Sequence, residues 1–262
     1  MSGDHSASDL PRTWHGKADA EDTLVLLNSM GTLQGMWDSL VAELGRDHRI
    51  LTMDLRGHVD GVTGPFGFEA FVADTVAVLE QEEIRGATLV GVSLGGALGL
   101  AAAEAMPEAA GRLVLVNTPI RQSSKAFWTT RADDVERDGL ADIAAGMAGR
   151  WFPPEAGSAA QAVIDDFLEL PVAGYAAACR ALADLDVTRQ ADVVEVPTLV
   201  VSARDDAAVD PANSDELARR LRAATLWPVA SGGHLLPVGR PEVLDQVIRA
   251  YESAQPAWKV EA

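Results

Sequence analysis

Short apolar runs punctuate the chain at residues 24–27, 50–53, 88–92, 113–116 and 198–201, with a weaker sixth at 224–228. None alternates apolar with polar positions. Continuous runs of this kind suit strands buried on both faces of a parallel sheet. Between them the apolar positions recur at helical spacing, which predicts helices over 36–44, 68–81, 97–106, 215–222 and 241–251. Strand and helix in alternation imply an open, mostly parallel α/β sheet with helices on both faces. Residues 1 to about 12 are polar and are expected to fray.

The rhythm breaks between residues 121 and 187. The stretch carries no strand-like run. It is Ala-rich and amphipathic, interrupted at Trp151-Phe152-Pro153-Pro154 and at Leu170-Pro171. Three or four short helices are expected there, inserted after the strand at 113–116. An insertion leaving the carboxyl edge of such a sheet lies over the ligand crevice. The expected organisation is therefore a core of residues 1–120 and 187–262, with a helical lid at 121–186.

Composition narrows the function classes. The 262 residues are enough for a large core, and 48% hydrophobic with 23% charged is ordinary for a globular protein. The formal charge of −18 opposes nucleic-acid binding, which needs a basic face. No run of apolar residues is long enough for a membrane span, and the N-terminus lacks a basic-then-apolar signal. The single cysteine, Cys179, excludes an internal disulfide and a cysteine metal cluster. A cytoplasmic location is the default expectation.

Chemistry concentrates at Gly91-Val92-Ser93-Leu94-Gly95. An apolar strand stops at a serine flanked by glycines, and a small-residue helix follows. This is the pattern of a nucleophile elbow, a strained turn that lifts a serine hydroxyl above the sheet. A serine needs a base, usually a histidine oriented by a carboxylate. Of five histidines, His5 lies in the tail, His15 and His48 in polar segments expected to be solvated, and His58 in the loop after the strand at 50–53. His234 follows the last strand in a Gly-rich loop and is the expected base. The carboxylate should follow the strand at 198–201. Asp205 is the first acidic residue there and is preferred over Asp206 and Asp210. Asn117, at the end of the preceding strand, supplies no charge. The expected oxyanion donors are the backbone amides of Leu94 and of Met30, within Asn28-Ser29-Met30-Gly31-Thr32.

The chain order Ser93, Asp205, His234 resembles that of the α/β-hydrolase superfamily over nearly the whole length. A closer resemblance is to 3-oxoadipate enol-lactonases. It is carried by Leu27-Asn28-Ser29-Met30-Gly31-Thr32 with Met36-Trp37, by Asp54-Leu55-Arg56-Gly57-His58, and by Val116-Asn117-Thr118. Within the insertion it is carried by Arg150-Trp151-Phe152-Pro153, Gly174 to Cys179 and Ala181 to Asp186. The resemblance implies a lactone opened by serine catalysis without metal or organic cofactor, and the triad order supports a serine hydrolase acting on a small ester or lactone. The family continues Arg-Gly-His with Gly-x-Ser, whereas this chain has Val59-Asp60-Gly61. The family's substrate also bears a carboxylate, for which Arg121, Lys125, Arg131 and Arg150 are candidates. Trp128 and Trp151 either wall the pocket or hold the lid together. Carboxylesterases, carbon–carbon bond hydrolases, perhydrolases and acyltransferases share the elbow, as do slow-turnover hydrolase-like receptors. Haloalkane dehalogenases are disfavoured because they carry a carboxylate at this position. No His-Glu-x-x-His motif or dinucleotide fingerprint is present.

Overall fold

The computed structural model describes residues 10–61 and 64–254. Seven strands form one sheet: β1 (Arg12–Gly16), β2 (Thr23–Leu27), β3 (Arg49–Met53), β4 (Ala87–Val92), β5 (Ala110–Val116), β6 (Thr198–Ala203) and β7 (Ala224–Val229). Their order is β1-β3-β2-β4-β5-β6-β7, and all pairs are parallel except β1 with β3. Every residue of β4, β5 and β6 is buried, as continuous apolar runs require.

The core helices are α1 (Asp38–Leu44), α2 (Phe68–Gln81), α3 (Leu94–Ala105), α8 (Thr188–Val193), α9 (Ala212–Arg220) and α11 (Pro241–Ala254). α1 packs against α11, while α2, α3, α8 and α9 contact one another in succession. These two groups cover the two faces of the sheet. The helix expected at 36–44 is split into a 3-10 turn over Gln34–Trp37 followed by α1.

One strand is absent from the apolar pattern. Residues 12–16, which begin where the tail expected to fray ends and fall in no predicted element, form β1 as an antiparallel edge, with Trp14 opposite Leu51. An edge strand is half solvated, so Arg-Thr-Trp-His-Gly need not be apolar. His15 is not simply solvated, because its Nε2 lies 2.9 Å from Thr52 Oγ1. His48 is buried, with Nδ1 at 3.0 Å from the Leu44 carbonyl and Nε2 at 3.1 Å from Glu252.

Between β5 and β6 the chain runs through α4 (Lys125–Asp138), α5 (Ala141–Trp151), α6 (Gly157–Leu168) and α7 (Val172–Leu182). Its two ends are pinned together. Arg121 bridges Asp186, Gln122 N–H donates to the Leu185 carbonyl, and Val187 N–H donates to the Ile120 carbonyl. A short α10 (Leu236–Gly239) follows β7. No helix among the described residues is long and apolar enough to cross a membrane.

The strand register gathers the candidate residues. Leu27 pairs with Gly91, Val92 with Val116, Val116 with Val201, and Val201 with Trp227. The loops beginning at Asn28, Ser93, Asn117, Arg204 and Ala230 therefore leave the same carboxyl edge of the sheet, where ligands bind in such folds.

Candidate active site

The turn between β4 and α3 is built by backbone contact. Ser93 has φ 55° and ψ −116°, a conformation that L-residues rarely hold. Its N–H is tied to the Val116 carbonyl at 2.9 Å. A Cβ on Gly91 would strike the Gly95 backbone, and one on Gly95 would strike the Leu27 carbonyl. Only glycine at these two positions lets β2, β4 and α3 close to this distance. Leu94 opens α3, so its amide is among the first-turn donors without an intrahelical acceptor.

Ser93 lines a cavity with Ser29, Met30, Pro119, Gln122, Phe127, Trp128, Arg131, Met147, Arg150, Trp151, Ala208, Val209 and His234. The cavity's enclosed volume is only about 70 Å³, and it opens to solvent at its mouth. The floor comes from the strand-edge loops and the roof from α4 and α5. The cavity thus brings together Ser93, His234, Met30, Trp128, Trp151 and Arg131.

Three expected candidates are corrected. The carboxylate facing His234 is Asp206, whose Oδ2 lies 2.8 Å from Nδ1 in a pair almost wholly buried. Asp206 Oδ1 accepts from the amides of Ala208 at 2.7 Å and Val209 at 3.0 Å. Asp205 instead accepts the amides of Gly232 and Gly233, all at 3.1 Å, and so braces the backbone of the histidine loop. Its oxygens are spent before they can reach the imidazole. Arg121 does not face the cavity. It is exposed and forms a two-pronged pair with Glu216 at 3.0 and 3.2 Å. Lys125 is likewise exposed and pairs with Asp184 at 2.5 Å.

Asn117 has a role that its lack of charge hid. Its side-chain amide donates to the carbonyls of Gly233 at 3.0 Å and His234 at 2.8 Å, and its oxygen accepts from Ala203 N–H at 2.8 Å. One side chain therefore joins the end of β6 to the histidine loop. Leu235 N–H closes the loop onto the Trp151 carbonyl at 3.0 Å.

The loop after β2 is equally constrained. Trp37 Nε1 donates to Asn28 Oδ1 at 2.7 Å, and Asp54 accepts from Gln34 N–H and Gln34 Nε2, each at 2.9 Å. Burial raises the Asp54 carboxyl above the usual range, and the Gln34 donors oppose that shift. The motifs around Asn28, Trp37 and Asp54 are thus one hydrogen-bonded unit. A buried Arg56–Asp74 pair, with both contacts at 2.7 Å, anchors the chain just before His58.

Chemically, an imidazole whose Nδ1–H is held by a carboxylate presents Nε2 as a base, and a serine hydroxyl lining the same cavity is a group such a base can activate. The chain belongs to the alpha/beta hydrolase family, whose model matches residues 24–247. It is similar to 3-oxoadipate enol-lactonase 2 of Acinetobacter baylyi, with 30% identity over 241 residues covering 90% of each chain. It is also similar to a protein of Pantoea ananatis provisionally named carbamate hydrolase RutD, at 26% identity over 242 residues and 88% of each chain. In structure it resembles the enol-lactonase of Burkholderia xenovorans LB400, with a TM-score of 0.87, 28% identity, and coverage of 93% of this chain and 96% of that one.

Proposed function

We propose that the protein is a serine hydrolase that opens a small lactone or ester bearing a carboxylate, in the manner of an enol-lactonase. The observation that carries this reading is the pair of arginines in the cavity roof. The chain has a formal charge of −18, yet among the described residues neither Arg131 nor Arg150 forms an ion pair. Arg131 donates to Tyr175 Oη at 3.4 Å and lies 4.9 Å from the Phe127 ring centre and 5.3 Å from that of Trp128. Arg150 donates to the Ala207 carbonyl at 3.3 Å. Cations left without carboxylate partners above a nucleophile suit an anionic ligand.

In this reading Ser93 Oγ attacks the acyl carbon while its proton passes to His234 Nε2. Asp206 holds the imidazolium, and the amides of Met30 and Leu94 hold the oxyanion. Collapse breaks the acyl C–O bond, and His234 returns the proton to the leaving oxygen. In a lactone that oxygen stays tethered, and an enol product relaxes to the ketone. His234 then takes a proton from water, which attacks the acyl-serine; breaking the acyl C–Oγ bond frees the carboxylate, and His234 returns the proton to Ser93 Oγ. Residues 121–186 act as the lid, and Trp128 and Trp151 wall the acyl site.

The test is a panel of a carboxylate-bearing enol-lactone, its neutral methyl ester, para-nitrophenyl acetate and a carbamate of the same size. The carboxylate lactone is expected to have the highest kcat/KM. Arg131→Met and Arg150→Met should each lower that value at least tenfold more for the anion than for its methyl ester, since a charge-assisted contact contributes about 1.5–3 kcal/mol. Preference for a neutral ester, or equal losses on both, would overturn the anionic assignment. The similarity to RutD makes carbamate cleavage the second reading, which a dominant rate on the carbamate would establish.

A further inference from the structure

His58 lies outside the residues assigned so far, yet it bears on the loop that carries Met30. It is buried, its Nε2 accepts the Gly31 amide at 2.8 Å, and its Nδ1 lies 3.2 Å from the Arg56 carbonyl. Because Nε2 accepts, the proton sits on Nδ1 and is donated to Arg56. Burial drives the imidazole pKa down to about 4, which keeps Nε2 free as an acceptor. The Tyr175 ring of α7 meets the imidazole edge-on, with centroids 6.1 Å apart. The backbones of Gly57 and Gly174 touch beside it, so that a Cβ on Gly57 would come within 2.5 Å of the Gly174 carbonyl.

The second constraint comes from Thr32, whose hydroxyl donates to the Ser29 carbonyl at 2.9 Å. A trans peptide is planar, with N–H opposed to C=O. Holding the Ser29 carbonyl therefore sets the direction of the Met30 N–H. Holding the Gly31 N–H fixes the next peptide plane, at a residue with φ +80°. Met30 is clamped from both sides.

We propose that His58 is a positioning residue for the oxyanion site: it locks the Met30–Gly31 peptide so that the Met30 amide stays aimed at the developing oxyanion. This rests on the serine-hydrolase reading above. An oxyanion site works because its donors are fixed before the reaction, and removing one donor costs about 10²–10³-fold in kcat. Loosening a donor without removing it should cost less, about 10- to 100-fold. The loss should fall on kcat, because the ground-state substrate gains little from the amide.

The experiment compares wild type, His58→Leu, His58→Gln and Ser93→Ala on para-nitrophenyl acetate, with ¹⁵N NMR of the imidazole nitrogens of wild type at neutral pH. Ser93→Ala tests the underlying reading: retained turnover would remove that reading and its oxyanion site together. If Ser93→Ala is inactive, His58→Leu should lose about 10- to 100-fold in kcat with KM changed less than about threefold. His58→Gln, whose carboxamide oxygen can accept the Gly31 amide, should recover most of that loss. The NMR spectrum should show His58 with Nδ1 protonated and Nε2 bare, a result that needs no variant to fold. Wild-type kcat in His58→Leu, a loss carried by KM alone, a glutamine variant no better than the leucine variant, or a protonated Nε2 would each overturn the assignment and leave the serine reading standing.

Discussion

Replacing Asp206 with asparagine tests which carboxylate serves His234. The structure dictates how the amide must sit. Asp206 Oδ1 is held by the amides of Ala208 and Val209, so only an oxygen can occupy that position. The new NH₂ group must then take the place of Oδ2, 2.8 Å from His234 Nδ1. It donates where a carboxylate accepted, which forces the proton of the neutral ring onto Nε2. The base then faces Ser93 already protonated. In a serine-protease triad this wrong-tautomer substitution lowers kcat about 10⁴-fold, which corresponds to a barrier higher by about 5 kcal/mol. Asp205→Asn is the control. It weakens contacts at 3.1 Å to Gly232 and Gly233 and should lower stability by about 1–2 kcal/mol. Its kcat should stay within about tenfold of wild type, because no atom of Asp205 reaches the imidazole. Initial rates on para-nitrophenyl acetate, with urea midpoints for both variants, decide the matter. An Asp206→Asn enzyme within tenfold of wild type, or an Asp205→Asn enzyme that loses more than Asp206→Asn, would refute the assignment.

Two further predictions address the scaffold. Gly95→Ala drives a methyl into the Leu27 carbonyl, with no flexible side chain to yield, and should cost at least about 3 kcal/mol in urea unfolding or prevent folding. An unchanged midpoint would contradict the close approach of α3 to β2. His58 carries a pH signature: its pKa is 6.5 when exposed and falls to about 4 in the folded chain, so the unfolded chain binds the extra proton between these values. The neutral ring's contribution is complete above pH 6.5 and is lost as pH falls through 4, for a total of about 3 kcal/mol. His58→Gln should flatten that part of the stability-versus-pH curve, and an identical slope in both proteins would count against a neutral buried ring.

The sheet was legible because β2 to β6 are buried on both faces, which leaves an unmistakable apolar signature. β1 was not, because an edge strand carrying Arg12, Trp14 and His15 has a side in water. The elbow and the histidine loop were legible because Ser93 and His234 sit at fixed places relative to strand ends. The choice between Asp205 and Asp206 lay beyond the sequence, since neighbouring residues on a turn point opposite ways and the turn's direction depends on Gly232 and Gly233. Long-range pairing hid the rest. Arg121 is consumed by Glu216 and His48 by Glu252, partners that no local pattern reveals. Asn117 and His58 matter through backbone groups they hold, and those contacts exist only once the loops are brought together.

The account stands on an activated Ser93, and covalent labelling tests that most directly. The protein should take up one fluorophosphonate per chain, with the adduct on the peptide containing Ser93 by mass spectrometry, and labelling should parallel loss of hydrolysis. Ser93→Ala should take up none, and His234→Ala should react at least about 10²-fold more slowly for want of its base. An unlabelled Ser93 in an enzyme that still turns over, or equal labelling in His234→Ala, would contradict the account.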